Sequence, residues 1–416
     1  MQTPFLPVTD DAAILGLLAL TLGAIFHTTQ SEHPRWRAFY RYVPALLLCY
    51  FIPSLYNTFG LIDAGQSRLY FVGSRYLLPA VLVLLTISID LPAILRLGPK
   101  ALIMFLTGTA GVILGGPIAV LLVSLVSPET VGGAGPEAVW RGLATIAGSW
   151  IGGSANQAAM KEVFEVGDDV FAAMVAVDVL VANLWMAVLL YLASVAPRLD
   201  AGLRADTRAM DDLRHRVEEF HARHARIPTL ADLMLIVAVG FGSTGLSHAI
   251  GTPLAAWIAG TAPHLDRLSL TSGFFWIVVI ATTIGLALSF TGARRLEGAG
   301  ASRVGSALLY VLIAIIGMNM DIGAVVERPG LFAVGLIWMA VHVTLLFVVG
   351  RAIRAPTFYL AVGSQANIGG AASAPVVASA FHPALAPVGV LLAVLGYAIG
   401  TYGGWLAGQL MRLVAP

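Results

Sequence analysis

A chain of 416 residues with 58% hydrophobic and only 11% charged side chains and a mean hydropathy of +0.85 is too apolar for a soluble domain, in which roughly a quarter of residues carry charge. A formal net charge of +1 offers nucleic acid no electrostatic footing, and the single cysteine, Cys49, excludes an internal disulfide or a cysteine metal site. The composition points to the lipid bilayer and to a multi-pass protein of the inner (plasma) membrane.

Apolar segments of spanning length follow one another at 12–27, 42–58, 76–97, 100–126, 140–165 and 169–195, then at 230–250, 272–291, 304–326, 331–351, 357–381 and 385–411. A short apolar piece at 251–262 reads as interfacial. Between the halves lies a polar stretch from Pro197 to Pro228, in which Met210, Leu213, Val217 and Phe220 recur at helical spacing. That spacing predicts an amphipathic helix on the cytoplasmic face. The chain divides accordingly into 1–196, a linker at 197–228, and 229–416.

Basic residues mark cytoplasmic loops. Arg35, Arg37 and Arg41 follow the first span, which puts the acidic N-terminus outside. The loop 127–139 carries Glu129 and Glu137 without basic residues and suits the outside. If 140–165 crossed the membrane, the linker arginines from Arg198 to Arg226 would fall outside. A re-entrant hairpin at 140–165 keeps them inside, and one at 357–381 does the same for Arg351 and Arg354. Each half then has five crossings plus one broken hairpin, and the odd count makes the two repeats inverted. The expected fold is all-α and polytopic, with a transport core and a scaffold. Segments three to six and nine to twelve form the expected mobile body against one, two, seven and eight.

Both predicted hairpins carry Ile-Gly-Gly among small polar residues: Ile151 to Gly153 and Ile368 to Gly370. Glycine pairs weaken a helix, so Gly152, Gly153, Gly369 and Gly370 should break it. Broken backbone at membrane depth is tolerated only where protein buries it or a cavity wets it, and two such breaks point to a transporter's site. Helices should end near Gly148 and Gly363 and restart at Ser154 or Ala155 and at Ala371 or Ala372. The new N-termini favour an anion and the free carbonyls a cation. Candidate solute-binding residues are Ser154, Asn156, Gln157, Gln365, Asn367, Gly369, Gly370 and Ser373, with Ser149 and Ser364 as further oxygen ligands.

Asp178 lies about a third of the way into an apolar span, where a carboxylate costs roughly 2.5–3.5 kcal/mol on insertion scales. It is the candidate site for a coupling ion, sodium or a proton, with Asn183, Ser149 and Thr401 beside it. The competing reading is a structural acid. Asp90 and Asp321 fall near span ends, within reach of headgroup water, and suit capping or topology as well as they suit transport. Lys161 could neutralise Glu162 or Asp178, meet the solute, or form an ion pair at the hairpin mouth. His342 reads as a hydrogen-bonded core histidine. Gly396, Gly400, Gly404 and Gly408 form a close-packing stripe.

Gly-Gly-Ser-Ala-Asn at 152–156 and Ala-Val-Asp at 176–178, with Ala-Asn-Ile-Gly-Gly at 366–370 and Gly-Tyr-Ala-Ile-Gly-Thr at 396–401, resemble the YjcL-like membrane proteins of bacteria and plants, a family of unknown function. The resemblance covers nearly the whole chain. It implies a place among the inverted-repeat ion-coupled carriers, which include sodium–glutamate, 2-hydroxycarboxylate and bile-acid symporters and cation–proton antiporters. It also implies a core, and a scaffold through which a homodimer forms. One departure is Val179, where family members often have Asn after the acid.

These readings predict a secondary transporter of a small anionic organic solute, coupled to sodium and working by an elevator motion. A cation–proton antiporter exchanging at Asp178 is the alternative. No cofactor is expected beyond the coupling ion. The chain has no Gly-x-Ser-x-Gly elbow, His-Glu-x-x-His, P-loop or Cys-x-x-Cys, so an enzyme is not expected.

Overall fold

Side chains at the helix starts do what the sequence asks of them. Asp10 accepts from the amide of Ala13, Ser272 accepts from Phe275, and Thr229 with Asp232 forms a capping box. In the computed structural model, described over residues 7–40, 43, 45–203, 228–320, 328–382 and 385–416, the long helices are α1 (Asp11–Thr29), α2 (Ala45–Thr58), α3 (Leu69–Thr86), α4 (Pro99–Ser124), α5 (Val139–Gly152), α6 (Ser154–Val163), α7 (Asp168–Leu203), α8 (Leu230–Thr261), α9 (Gly273–Ser289), α10 (Ala301–Gly317), α11 (Gly330–Ala352), α12 (Thr357–Ile368), α13 (Gly370–Phe381) and α14 (Ala386–Val414). The chain is a polytopic all-α membrane protein. Among the described residues seven helices are long and apolar enough to span, or up to nine if each bent helix pair is one span. Three expected crossings are shorter than a full span: α2 has 14 residues, and α9 and α10 have 17 each.

Several boundaries differ from the sequence reading. The piece at 251–262 is not a separate segment: α8 runs on through Pro253 to Thr261. The helix expected at 169–195 continues through Pro197 to Leu203. The segment expected at 76–97 starts earlier, at Leu69, and stops at Thr86, with a separate short helix at Leu91–Arg96. Within it the turn Gly73–Leu77 is π-helical. Pro79 has no N–H to give the carbonyl of Arg75, and His248 Nε2 supplies the missing donor at 2.8 Å. The amphipathic linker helix and Asp321 lie outside the described residues.

The helices pack in two groups. One comprises α1, α2, α3, α8, α9 and α10; the other comprises α4 to α7 and α11 to α14. The third and ninth segments thus sit with the first group rather than with the expected mobile body. Glycines explain the attachment. A Cβ on Gly285 of α9 would stand 3.0 Å from Val83 and Thr86, and one on Gly305 of α10 would stand 3.0 Å from Leu84. In the second group α5 lies along α14 through facing small residues, Gly152 on Gly400, Gly148 on Gly404 and Ala144 on Gly408. The four-residue glycine stripe is therefore a helix contact.

Candidate functional site at the hairpin tips

The segment 139–163 folds back on itself. The amide of Gly167 donates to Pro136 O at 2.9 Å, Arg141 donates to Phe164 O, and the Trp140 and Phe164 rings meet edge to face at 5.6 Å. Its two ends share one mouth. The segment 357–381 does likewise, with Phe358 against Phe381 at 5.4 Å between ring centroids.

The two mouths lie at opposite ends of α7. Val170 of α7 donates to Glu137 beside the first mouth at 3.1 Å, and Asp200 accepts from the backbone and hydroxyl of Thr357 at the second, at 2.8 and 2.7 Å. Those anchor points stand roughly 45 Å apart along a helix rising about 1.5 Å per residue.

The breaks fall at the glycine pairs themselves. α5 ends at Gly152 and α12 at Ile368, not near Gly148 and Gly363. Those two glycines stay helical because they serve packing: a Cβ on Gly148 would meet Asn156 O at 2.6 Å, and one on Gly363 would meet Phe105 N at 3.0 Å. Gly153 has φ +76 and Gly370 φ +58, a region open to glycine at little cost. The tips meet: a Cβ on Gly370 would lie 3.9 Å from Gly153 Cα. The helices restart at Ser154 and at Gly370, one residue before the expected Ala371, and neither N-terminus is capped by a side chain. Two positive helix ends thus converge on one spot, where Ser154, Gly369 and Ser373 are partly exposed.

Asp178, 5% exposed, receives three hydrogen bonds from the first hairpin. Ser149 Oγ donates to Oδ2 at 2.6 Å, Gln157 Nε2 to Oδ2 at 3.0 Å, and Trp150 Nε1 to Oδ1 at 2.7 Å. The donors come from both limbs, so the carboxylate ties the hairpin across its break. All three are uncharged. Gln157 Oε1 in turn receives the Tyr50 hydroxyl at 3.4 Å. Asn183 does not join them. Five residues further along the helix it faces another side, and its amide donates to Val179 O at 2.7 Å.

The two asparagines occupy matching settings. Asn156 Nδ2 donates to Gly152 O and Tyr397 O, while its Oδ1 accepts from Thr401 at 2.7 Å. Asn367 Nδ2 donates to Gly363 O and Phe105 O, while its Oδ1 accepts from Thr109 at 2.8 Å. Each amide holds a broken hairpin to a crossing helix, bonding one of that helix's carbonyls and the threonine four residues later. Thr401 also lies 3.0 Å from the Thr282 hydroxyl, and so belongs to the Asn156 cluster.

Around the second hairpin the polar chain is neutral. Trp185 Nε1 donates to Ser364 Oγ, which lies 2.8 Å from His342 Nε2, and His342 Nδ1 lies 3.0 Å from Gly108 O. A carbonyl only accepts, so Nδ1 carries the proton and Nε2 accepts from Ser364. His342 is a hydrogen-bonded core residue. Gln365 Nε2 donates to Ser373 Oγ at 2.7 Å, and its Oε1 is buried without a hydrogen-bond partner among the described residues. Lys161 contacts neither Glu162 nor Asp178 directly. Its Nζ bonds Asp168 and the Tyr70 hydroxyl, both at 2.7 Å, at the first hairpin's mouth. Asp90 pairs with Arg294 at 2.9 Å.

Trp150, Tyr50, Thr109, Thr282 and Trp185 did not emerge from sequence reasoning. Trp150 carried a usable signal, since a buried indole N–H next to a helix break needs an acceptor. Threonines on apolar spans carry little signal, because each can bond its own helix.

The comparisons with known proteins agree with this architecture without adding an activity. The chain is 24% identical over 357 residues, 83% of its length and 84% of the relative's, to the "Uncharacterized membrane protein YjcL" of Bacillus subtilis (strain 168). From residue 13 to 414 it matches the family described as "Protein of unknown function (DUF819)", and the chain belongs to that family.

Proposed function

We propose that this protein is an ion-coupled secondary transporter of a small anionic organic solute, with sodium as the coupling ion and an elevator-type alternating-access mechanism. The observation that carries the reading is the meeting of two broken hairpins, entered from opposite ends, beside a buried carboxylate with no charged donor. The converging N-termini of α6 and α13 suit a carboxylate solute, with Ser154, Gln365 and Ser373 at its edge. The Ser149 hydroxyl can turn its hydrogen away and lend its oxygen, with those of Asp178, to sodium. Oxygen donors suit this hard cation. Trp150 and Gln157 meanwhile hold the carboxylate in place. The packing group of α4 to α7 and α11 to α14 is the moving core. The other group is the scaffold, through which two copies form a homodimer. The distribution of arginines supports an orientation with the first hairpin's mouth and the N-terminus outside an inner membrane. The reading makes the protein a carrier, not an enzyme.

A cation–proton antiporter is the second reading. It is favoured by the purely neutral donor set around Asp178, which lets the carboxylate exchange a proton for a cation. A thermal-shift screen of purified protein separates the two. Under symport a carboxylate, amino acid or peptide raises Tm more in sodium than in potassium. Under antiport no solute adds to the effect of sodium.

A further inference from the structure

The second limbs of the two hairpins are packed unequally. α6 lies against α3, α9 and α10 of the scaffold group and is buried nearly throughout. α13 packs on α12, α14 and α7, and it leaves Val376 52% exposed, with Ala380 exposed as well. At the far end of α6 a charged cluster crosses between the groups. Tyr70 of α3 donates to Glu162 and receives Lys161 Nζ at 2.7 Å, while Arg75 Nη2 stands 3.8 Å from Glu162. Lys161 Nζ also sits 4.6 Å over the Tyr70 ring, and Arg75 lies 4.3 Å over Phe274 of α9. The Lys161 and Glu162 side chains are only 4% and 8% exposed.

We propose that Tyr70 and Arg75 latch the first hairpin to the scaffold group, and that release of this latch opens a wet path from the first hairpin's mouth to the tips. Charges this deeply buried can part only if water takes the partner's place. Separating Glu162 and Lys161 from α3 therefore admits water at the mouth. Ser154 lies two helical turns further in, on the same limb. The exposed flank of α13 marks the present state as closed at the first mouth and unpacked at the second. Release of the latch exchanges these conditions. The inference rests on the carrier reading above, but its test needs no solute.

The test uses full-length protein in sealed vesicles of known orientation, in a Cys49→Ala background. Ser154→Cys or Val376→Cys supplies the reporter thiol, and a membrane-impermeant thiol reagent is applied from one face at a time. Glu162→Gln and the milder Tyr70→Phe should each raise labelling of the Ser154→Cys reporter from the first-mouth face by roughly tenfold or more, the scale of a lost hydrogen bond to a charged group. Labelling of the Val376→Cys reporter from the other face should fall. Unchanged rates in both variants would overturn the latch, as would a rise in labelling at position 154 from both faces alike. If the Val376→Cys reporter labels from the first-mouth face before any latch substitution, it is the opposed-hairpin carrier reading that fails.

Discussion

Trp150, the residue immediately before Ile151-Gly152-Gly153, donates its indole N–H to Oδ1 of Asp178 at 2.7 Å. That bond joins the helix break to the span carrying the buried acid. It also fixes which way the carboxylate faces, leaving Oδ2 to Ser149 and Gln157. Trp150→Phe keeps most of the ring contact with Trp338, now at 5.0 Å, and removes only the donor. The variant should lose about 1–3 kcal/mol, the cost of leaving a buried acceptor short of a partner. A lowered Tm would show it, and sodium binding should weaken alongside.

The Asn367–Thr109 bond should behave as a structural staple. Thr109→Val keeps the shape of the side chain and strands Asn367 Oδ1, at a cost of about 1–3 kcal/mol. A double-mutant cycle with Asn367→Leu should return a coupling energy of about 0.5–3 kcal/mol. The same cycle on Asn156 and Thr401 should give a similar value. Additive losses in both cycles would remove the staple role and return the asparagines to the solute.

Much of this was legible in the sequence, because an apolar span makes polar residues and glycines conspicuous. Asp178, Asn156, Gln157, Gln365 and Asn367 stood out for that reason, and all are buried near the breaks. What the sequence withheld is where each polar atom points. Asn183 looked like a neighbour of Asp178, yet five residues along a helix is the wrong face. The helix ends near Gly148 and Gly363 were misplaced because a glycine can serve close packing as readily as it breaks a helix. The assignment of α3 and α10 to a packing group depends on glycines 285 and 305, which nothing local distinguishes from the other glycines of the chain.

Those packing glycines differ sharply in tolerance. A Cβ on Gly400 would stand 2.7 Å from Gly152 Cα, whereas one on Gly245 meets nothing within 4 Å. Gly400→Ala should therefore cost about 1–3 kcal/mol as overpacking between α5 and α14. Gly245→Ala should be neutral or slightly stabilising, because alanine is the better helix former by roughly 1 kcal/mol. Paired thermal melts decide the point.

Topology can be read from cysteine labelling in the Cys49→Ala background. Gly167 bonds Pro136 across the first mouth, so a cysteine at 167 should label from the same face as one at Gly133. A cysteine at His382, beside the second mouth, should label from the opposite face. If 167 and 133 label from opposite faces, 139–163 crosses the membrane and is no hairpin.

If Asp178 holds the coupling ion, the stability of the purified protein must depend on sodium through that one carboxylate. Tm is measured in sodium and in potassium at equal ionic strength, for the natural chain and for Asp178→Asn, across a range of pH. A proton and a cation compete for one carboxylate, so the stabilisation by sodium should shrink as pH is lowered. With sodium at a hundredfold excess over its Kd the natural chain should gain about 2.7 kcal/mol, and Asp178→Asn should gain none at any pH. An equal response to sodium in both proteins, or no difference between sodium and potassium in the natural chain at any pH, would contradict the account.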